Sequence, residues 1–545
     1  MARGMIRATY LMASRALARA ALIGLALITL CLAGCGGGGS SMMQQRQPDF
    51  TVNASPNSVS AQVGNTTPPV AVTITAVNGF SGSVQVTLQG LPTGITASPS
   101  STFTLSGGTP QSITFQLSGS APIGPASITV SATSGNLSHA TQVTLMAQAI
   151  VHTYQSGTGL YLESGNNTDT ARIGLETGWG GSIVEVSVNG TEYVNRHDTG
   201  REIQLSFRDG NRPYWNPTLG GDEDNQGTPT LAWTVNPDSI YTKSQPLEWY
   251  VEENGGGVGR PITEDMQVEQ TVFAVANQPH TFRAHYKVTH MGNDLHADAP
   301  TEYPAVYTNR DYNQFVYYGG PAPWTNSAVT TTALPNLPRF SPNFHTSEHW
   351  GALVDIQNQG LMVYVPSPYP YVAGFSSPDT GGGGPTDNYT NYFAVTPNWT
   401  IGPGFVFEGD IYIIAGDLNT ARNIVYQLHQ TVSEVDISAP LGATDAPSAN
   451  ATVSGTVAVS GWAFDDVSVA KVEVLVDGAS DGTATYGSPR PDIPALYPGA
   501  PANTGYSYSL DTTKYGSGPH IMNVRVTDVS GNAAMFANVP LIFAN

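Results

Sequence analysis

Alternation of apolar and polar residues with a period of two is the sequence feature that most limits what this chain can fold into. It recurs at residues 70–76, 126–132, 182–188, 281–288 and 360–365. In an extended strand this period puts the apolar side chains on one face and the polar ones on the other. Gly (59 residues) and Pro (39 residues) are frequent and separate these segments. The pattern predicts an all-β protein made of antiparallel β-sandwiches.

Helical periodicity is legible at one segment, residues 418–429. Its apolar residues fall at i, i+3, i+4 and i+7, which is one face of an α-helix, and they are Ala421, Ile424, Val425 and Leu428. Asp417 or Asn419 can cap the amino end. We therefore expect one amphipathic helix near the end of the central part of the chain.

A chain of 545 residues is too long for one hydrophobic core, and about three domains are expected. We predict an Ig-like β-sandwich at 49–148, a large central β-sandwich at 149–433 and a second Ig-like sandwich at 434–545. The first of these has Asp49 as its sole charged residue and contains neither Trp nor Tyr, so it is interpreted as a spacer. The last opens with VSGTVAVSGWAFD at 453–465 and resembles bacterial Ig-like repeats of surface enzymes and adhesins.

The first 34 residues predict a secretion signal. Residues 1–34 carry four arginines and no acid, and the apolar run at 21–33 is shorter than the roughly 20 residues needed to span a bilayer. The run ends in Leu-Ala-Gly-Cys, which resembles a bacterial lipobox. That resemblance implies cleavage before Cys35, a lipid anchor on its thiol and a flexible tether over 35–48. Gly36 after the cysteine implies the outer membrane or cell surface of a Gram-negative bacterium; an ordinary signal peptide with a chance cysteine is the alternative.

Cysteine usage and charge exclude several classes of function. The second cysteine, Cys31, leaves with the leader, so no thiol remains for a disulfide, a cysteine zinc site or a cysteine nucleophile. Removal of the four leader arginines from 21 basic residues leaves 17 against 41 acidic ones, a formal charge of −24. This field repels nucleic acid, so no nucleic-acid partner is expected. Neutral glycans, cations and metal ions remain compatible with it.

The densest mixture of charge, aromatic surface and tight turns lies at residues 198–224, DTGREIQLSFRDGNRPYWNPTLGGDED. We interpret this stretch as the floor of a binding cleft for a polysaccharide or oligosaccharide. Seven of the eight Trp lie between residues 151 and 432, which makes the central domain the candidate for that role. Stacking of aromatic rings on the C–H faces of a sugar is the expected mode of binding.

Candidate catalytic acids come from three places in the central domain. Glu348 lies two residues before Trp350, so in a strand the two share a face. Glu248 and Glu252 also share a face if their segment is a strand, and Asp222 lies in an acidic turn. Glycosidases use two carboxyl groups, so we predict that Glu348 acts with an acid from Asp222, Glu248 or Glu252. The alternatives left open are a core Trp with an acid at its rim, and exposed charge on an edge strand.

Substrate binding is predicted for one arginine and five aromatic residues: Arg201, Trp215, Trp249, Tyr318, Trp324 and Trp350. Tyr318 and Trp324 belong to a band rich in Gly and Pro, which places several rings on loops. Packing of these rings in the core is the alternative.

No cofactor is expected, with calcium as the one open case. Asp222 to Gly227 begins like a calcium loop, but position 12, where a bidentate Glu would close the site, is Trp233, which excludes an EF-hand. Asp222 and Asp224 remain weak calcium candidates, and a solvated acidic turn is the alternative. His285 and His290 fall on opposite faces of one predicted strand and cannot share a metal there.

The segment GGSIVEVSVNGTEYVN at 180–195 resembles the first strands of galactose-mutarotase-like supersandwich domains. These occur in sugar epimerases, polysaccharide lyases and accessory domains of glycoside hydrolases, but their catalytic His and Glu match no motif here. Together with the lipobox, the predicted acids and the aromatic residues, this resemblance leads us to expect a surface-anchored lipoprotein whose central sandwich binds and degrades a polysaccharide, by hydrolase or lyase chemistry. A non-catalytic glycan-binding or adhesion protein, and a purely structural surface protein, are the alternatives.

Overall fold

The computed structural model describes residues 47–545 except 198–199, 321, 335–340, 368, 376–383, 385, 433–438, 466–467 and 498–499, and the side chains of 341–343 and 375 are likewise not described. The predicted leader, Cys35 and the tether up to residue 46 lie outside the described residues. The chain divides into two compact units, residues 1–51 with 76–81, and residues 52–75 with 82–545. In the first unit, Phe50 packs against Phe80 at a centroid distance of 5.1 Å.

The amino-terminal strands are β1 (Asp49–Ser55), β2 (Ser58–Gln62), β3 (Val70–Val77), β4 (Ser83–Gln89), β5 (Ile95–Ser98), β6 (Thr102–Ser106), β7 (Gln111–Leu117), β8 (Gly124–Ser134) and β9 (Leu137–Gln148). A five-stranded sheet has the order β2-β9-β8-β4-β6, and β3, β7 and β5 pair in that order. Alternate residues of these strands are buried, for example Val84 and Val86 of β4, as their period of two predicts.

The central strands begin with β10 (Ile150–Ser156), β11 (Gly159–Gly165), β12 (Thr170–Glu176), β13 (Ser182–Val188), β14 (Thr191–Glu192), β15 (Ile203–Ser206), β16 (Pro217–Thr218), β17 (Thr230–Val235), β18 (Ser239–Ser244), β19 (Leu247–Glu248) and β20 (Met266–Ala274). They continue with β21 (Thr281–His290), β22 (His296–Pro300), β23 (Glu302–Asn309), β24 (Gln314–Tyr317), β25 (Thr330–Ala333), β26 (Ser341–His345), β27 (Trp350–Val354), β28 (Gln359–Tyr364), β29 (Pro370–Phe375), β30 (Thr390–Val395), β31 (Asn398–Ile401) and β32 (Val406–Asp417).

Two large antiparallel sheets form the central sandwich. Sheet A has the order β10-β11-β12-β13-β15-β23-β30-β29-β26, and sheet B has the order β17-β18-β20-β21-β32-β28-β27-β24-β25. A single hydrophobic cluster takes residues from both, including Leu162 and Ile173 of sheet A and Phe282 and Ile411 of sheet B. Burial of these faces is the main stabilising contribution to the domain, at about 25 cal/mol per Å² of apolar surface.

Helix α1 (Leu418–His429) follows β32 and covers part of the other face of sheet B. Asp417 caps it, because its side chain accepts a hydrogen bond from Thr420 N. Its buried residues Ile424 and Val425 belong to a second cluster with Met362 of β28. The predicted helix and one of its two predicted caps are therefore confirmed.

The carboxy-terminal elements are β33 (Leu441–Ala446), β34 (Ala451–Val453), β35 (Thr456–Phe464), β36 (Val469–Val476), β37 (Ala479–Thr483), β38 (Thr485–Ser488), α2 (Ile493–Leu496), β39 (Gly505–Asp511), β40 (Gly518–Asp528), β41 (Ala533–Met535) and β42 (Val539–Phe543). They form sheets of order β33-β35-β39-β38 and β34-β42-β40-β36-β37 around one core. The predicted all-β class, with sandwiches and one helix at the end of the central part, is confirmed. Within the described residues, the structure has no apolar helix of the length that a membrane span requires.

Candidate functional site

Glu348 is the most heavily bonded carboxylate among the predicted site residues. It has no exposed surface. Its Oε1 accepts from Tyr426 Oη at 2.6 Å, from Trp324 N at 2.9 Å and from Arg422 Nη2 at 2.9 Å. Its Oε2 accepts from Arg422 Nε and from Trp350 Nε1, each at 2.9 Å. Burial acts to raise the pKa of Glu348, but the bonds from Arg422, Tyr426, Trp350 and Trp324 outweigh it and hold the pKa below its usual value.

This arrangement corrects the prediction that Glu348 is a catalytic acid. A carboxylate that is buried, ionised and saturated with donors neither reaches a substrate nor supplies a proton. Trp350 is also fully buried and Tyr318 is 5% exposed, so neither presents a ring to a sugar. Both belong to the cluster that α1 covers. Trp324 is half-buried and stacks on His429 at 3.6 Å.

Asp222, Glu248 and Glu252 lie in a different set of loops. Glu248 is fully buried and accepts hydrogen bonds from Asn216 N and Tyr250 N, and burial raises its pKa to about 7. Asp222 is fully buried, and its Oδ1 accepts from the backbone of Asp224 and Gln226.

Glu252 is exposed and does not share a strand face with Glu248, because β19 ends at Glu248 and a turn follows. The prediction of a strand over this segment is therefore wrong. The hydrogen-bond partners of Glu348 lie at residues 324–350 and in α1, whereas those of Asp222 and Glu248 lie at residues 201–262. In the described part of the chain, the predicted acid pair is not assembled.

Arg201 does meet one predicted ring, since its Cζ lies 4.4 Å from the Trp249 ring centroid. Its Nη2 also donates to Asp222 O at 2.6 Å. Trp249 is half-buried, but Trp215 is 3% exposed and stacks on His296 at 3.6 Å, which corrects its assignment as a sugar-stacking ring.

The calcium candidates are engaged with the backbone. Asp224 Oδ2 accepts a hydrogen bond from Gly259 N at 2.6 Å. Asp222 Oδ1 accepts one from Asp224 N within the same turn. Asp222 Oδ2 is buried without a hydrogen-bond partner. These carboxylates stabilise the loop, and calcium there stays a prediction.

A polar surface that the sequence reasoning missed lies on the outer face of sheet A. Strand pairing aligns Tyr154 with Tyr161, Tyr161 with Gly174 and Gly174 with Glu185, while Glu163 aligns with Arg172. The intervening residues point to the core. We call this surface the arginine–tyrosine face and define it by His152, Tyr154, Tyr161, Glu163, Arg172, Glu185, Glu192 and Arg196.

Three rings of the face form a continuous stack. His152 lies 5.0 Å from Tyr154, and Tyr154 lies 5.2 Å from Tyr161, with interplanar angles of 26° and 25°. The Tyr161 ring lies against the backbone of Gly174, where an added Cβ would come within 3.0 Å of it. His152 is exposed and both tyrosines are half-buried. The stack of three rings therefore presents aromatic surface to solvent and is not part of a hydrophobic core.

Two arginines lie beside this stack of rings. Arg172 Nε donates to Glu185 Oε1 at 2.6 Å, and its Cζ lies 5.6 Å from the Tyr161 centroid. Arg196 is held more loosely, 3.8 Å from Glu185 and 3.7 Å from Glu192. The arginine side chains are 39% and 40% exposed. Guanidinium donors and carboxylate acceptors thus lie side by side next to the rings.

Two carboxyl groups near the arginines have displaced pKa values. Burial raises the pKa of Glu192 to about 7 and that of Glu202 to about 8. Glu202 Oε2 accepts from Gly200 N at 2.7 Å, whereas its buried Oε1 has no hydrogen-bond partner. The charge of Arg196 lowers the pKa of Glu202 and that of Glu192 raises it. Burial therefore favours the protonated form of Glu202.

Farther along sheet A the same side is buried, because Tyr392 is 1% exposed and forms a small cluster with Ala305 and Ala394. Tyr307 of β23 lies 5.1 Å from Tyr392 of β30, and Tyr392 Oη donates to Glu302 Oε1 at 2.7 Å. Arg208 Nη2 lies 3.8 Å from Glu302 and its side chain is 34% exposed. The signal that could have found the arginine–tyrosine face is the recurrence of His, Tyr, Glu and Arg at alternate positions of β10, β11 and β12, which were not among the predicted strands.

Comparison with known proteins identifies one module. Residues 440–524 match the family model described as bacterial Ig domain. No curated protein matches the chain significantly.

Solved structures show low similarity. An endo-β-1,4-mannanase from Thermotoga petrophila is 19% identical over 23% of this chain and 24% of its own length, with a TM-score of 0.15. A polysaccharide lyase is 10% identical over 70% of this chain and 47% of its own, with a TM-score of 0.25. A protein assigned as an aldose 1-epimerase from Klebsiella pneumoniae is 10% identical over 57% and 90%, with a TM-score of 0.30. The chain spans about a quarter of the mannanase and about half of the lyase, and these TM-scores carry no argument about activity.

Proposed function

We propose that the central sandwich binds a neutral polysaccharide on the arginine–tyrosine face. The observation that carries this proposal is the stack of His152, Tyr154 and Tyr161 with partly exposed Arg172 and Arg196 beside it. Aromatic rings offer a flat apolar surface to the C–H groups of a pyranose. Guanidinium groups donate to sugar hydroxyls, and neighbouring carboxylates accept from them.

Charge favours a neutral ligand over an acidic one. Each arginine of the face already lies beside one or more carboxylates, so the surface has no excess of positive charge. The chain as a whole carries a formal charge of −20. The negative charge of the chain repels a polyanion, and the paired arginines of this face do not offset that repulsion. A neutral glycan is not repelled.

The test is affinity electrophoresis of the full chain through gels that contain members of a panel of neutral and acidic polysaccharides. We expect retardation by a neutral glycan and a loss of affinity of about tenfold or more in Arg196→Gln, the range for a hydrogen bond to a charged group. Arg283→Gln is the matched control, because Arg283 is 37% exposed and lies 3.7 Å from Asp410 on sheet B. Equal retardation of wild type and Arg196→Gln, or retardation by none of the panel, would reject the proposal.

Degradation of the bound glycan, by hydrolase or lyase chemistry, stays a prediction. Glu202 has no exposed surface, so it does not reach a bound glycan and is not assigned as the proton donor. Product chromatography of the wild type tests degradation, and new oligosaccharides would support it. Absence of products from the wild type leaves binding alone.

Surface anchoring through Cys35 is part of the proposal. The match of residues 440–524 to a bacterial Ig domain supports an extracellular or surface location. Cell fractionation and labelling with a radioactive fatty acid test the anchor. We expect label and outer-membrane recovery for the wild type and neither for Cys35→Ser. Label on both proteins would show that the lipid is attached elsewhere.

A further inference from the structure

His290, Asp294 and His296 converge at one end of the central sandwich. His290 is the last residue of β21 and His296 is the first of β22. One ligand atom from each residue lies within 4.8 Å of the others. His290 Nε2 is 3.3 Å from Asp294 Oδ1, and His296 Nε2 is 3.5 Å from Asp294 Oδ2. The histidine side chains are 1% and 2% exposed, whereas Asp294 is 52% exposed, so the cluster is buried on one side and open on the other.

The orientation of His290 leaves a lone pair with no protein partner. Its Nδ1 lies 2.8 Å from Gly402 O, and a carbonyl oxygen accepts, so Nδ1 carries the proton. In the neutral imidazole Nε2 is then an acceptor, and it is a buried polar atom without a hydrogen-bond partner, 3.3 Å from Asp294 Oδ1. A backbone carbonyl behind one imidazole nitrogen is the usual support of a metal-binding histidine.

His296 has its Nδ1 between a carboxylate and a guanidinium, and it supports metal binding through Nε2 when Nδ1 donates to the carboxylate. Its Nδ1 lies 3.2 Å from Asp209 Oδ2, and its ring is held against Trp215. Arg212 Nε also donates to Asp209 Oδ2, at 2.9 Å, and its Nη2 lies 2.5 Å from His296 Nδ1. The Arg212 side chain is 48% exposed, so Nη2 has room to withdraw when His296 Nδ1 donates to Asp209.

The separations of the candidate ligand atoms suit a small ion. Zinc lies about 2.0–2.2 Å from nitrogen and oxygen ligands, so the ligand atoms of a tetrahedral site lie about 3.4 Å apart. The 3.3 Å between His290 Nε2 and Asp294 Oδ1 and the 3.5 Å between His296 Nε2 and Asp294 Oδ2 match this value. Asp265 Oδ2 lies near the same atoms, since a Cβ added to Gly292 would lie 2.7 Å from His290 Nε2, 2.8 Å from Asp294 Oδ1 and 3.1 Å from Asp265 Oδ2, and it offers an additional ligand.

Charge and ligand type define the ion. Asp209 and Asp294 both bond to the guanidinium of Arg212, and the carboxylate of Asp265 lies near Gly292, so negative charge is in excess. Two imidazole nitrogens with carboxylate oxygens suit a borderline divalent ion, whereas calcium takes oxygen ligands. We propose that His290, Asp294 and His296, completed by Asp265, bind one divalent cation of the zinc class. The ion would tie the end of β21 to the start of β22.

The test is a titration of the full chain with Zn²⁺ by isothermal titration calorimetry, after purification without a histidine tag and treatment with a chelator. We expect one equivalent to bind, a higher thermal midpoint with Zn²⁺ than without, and a weaker response to Ca²⁺. His290→Gln and Asp294→Asn each remove one ligand and are expected to weaken binding at least tenfold. His285→Gln is the matched control, since His285 lies on the same strand, on the opposite face, beside Asp410.

Asp294→Asn separates metal binding from folding. Asp294 is 52% exposed, so the variant removes a ligand carboxylate without creating a cavity, and we expect it to lose Zn²⁺ while its metal-free thermal midpoint stays near that of the metal-free wild type. The proposal fails if the wild type binds no stoichiometric Zn²⁺, or if Asp294→Asn and His290→Gln bind it as tightly as the wild type. Loss of binding in His285→Gln alone would place the ion elsewhere and would also overturn it.

Discussion

Replacement of Glu348 by glutamine will destabilise the central sandwich and leave glycan binding intact. The substitution keeps the shape of the side chain but removes its charge. Arg422 then stays charged and 6% exposed, and it loses a partner that holds it through two hydrogen bonds of 2.9 Å. Tyr426, Trp350 and Trp324 must share the single remaining acceptor oxygen.

The size of this effect follows from burial. Removal of one partner from a buried ion pair costs about 3–5 kcal/mol, because the other charge remains in a poorly solvated site. Exposed ion pairs contribute far less. Glu408→Gln is the matched control, because Glu408 is 51% exposed and pairs with Lys287 on sheet B, and we expect no measurable change.

Urea unfolding followed by Trp fluorescence measures the difference. Seven of the eight Trp lie between residues 151 and 432, and Trp350 donates to Glu348 itself, so the signal reports on this domain. We expect Glu348→Gln to lower the free energy of unfolding by about 3–5 kcal/mol, with unchanged retardation in a glycan gel. A variant as stable as the wild type that no longer cleaves or binds the glycan would refute the structural role and restore the catalytic one.

Three further predictions concern burial, ionisation and calcium. Trp350→Ala creates a cavity at a fully buried position, and urea unfolding is expected to show a loss of about 3–5 kcal/mol. Because the folded-state pKa of Glu202, about 8, lies above the unfolded value, stability falls as pH rises from about 5 to about 8, by up to about 1.4 kcal/mol per pH unit for this group. Thermal unfolding across this range is expected to show a shallower fall for Glu202→Gln, and an identical slope would contradict the assignment. If the Asp222 loop binds calcium, 1 mM Ca²⁺ (a concentration of the order at which extracellular sites bind) raises the thermal midpoint of the wild type but not of Asp224→Asn; no rise in either would reject this site.

The period-two pattern was sufficient to predict the fold class, and the i, i+3, i+4, i+7 pattern was sufficient to predict helix α1. Alternation fixes which residues share a face, and Asp417 with the apolar stripe of 418–429 fixes the helix and its cap. The same alternation does not tell which face of a strand will be covered. Trp350 and Glu348 were expected at a surface, but α1 covers that side of sheet B.

The site could not be predicted because its contacts join distant parts of the chain. Arg422 pairs with Glu348 although the two are 74 residues apart in the sequence, and no local sequence pattern indicates that pair. The arginine–tyrosine face depends on the register of four strands. The histidine cluster was missed for another reason. The spacing of His285 and His290 on one strand excludes a metal shared by those two, but the neighbours of His290 in space are Asp294 and His296, which lie beyond the end of the strand.

Hydroxyl-radical footprinting of the full chain, with and without the retarding glycan, tests the central claim most directly. If the glycan lies on the arginine–tyrosine face, oxidation of Tyr154 and Tyr161 will fall on binding, while oxidation of half-buried Trp249 and Trp324 stays unchanged. Protection of Trp249 or Trp324 with no change at the two tyrosines would contradict the account and place the glycan in the loops around Arg201 or beside α1.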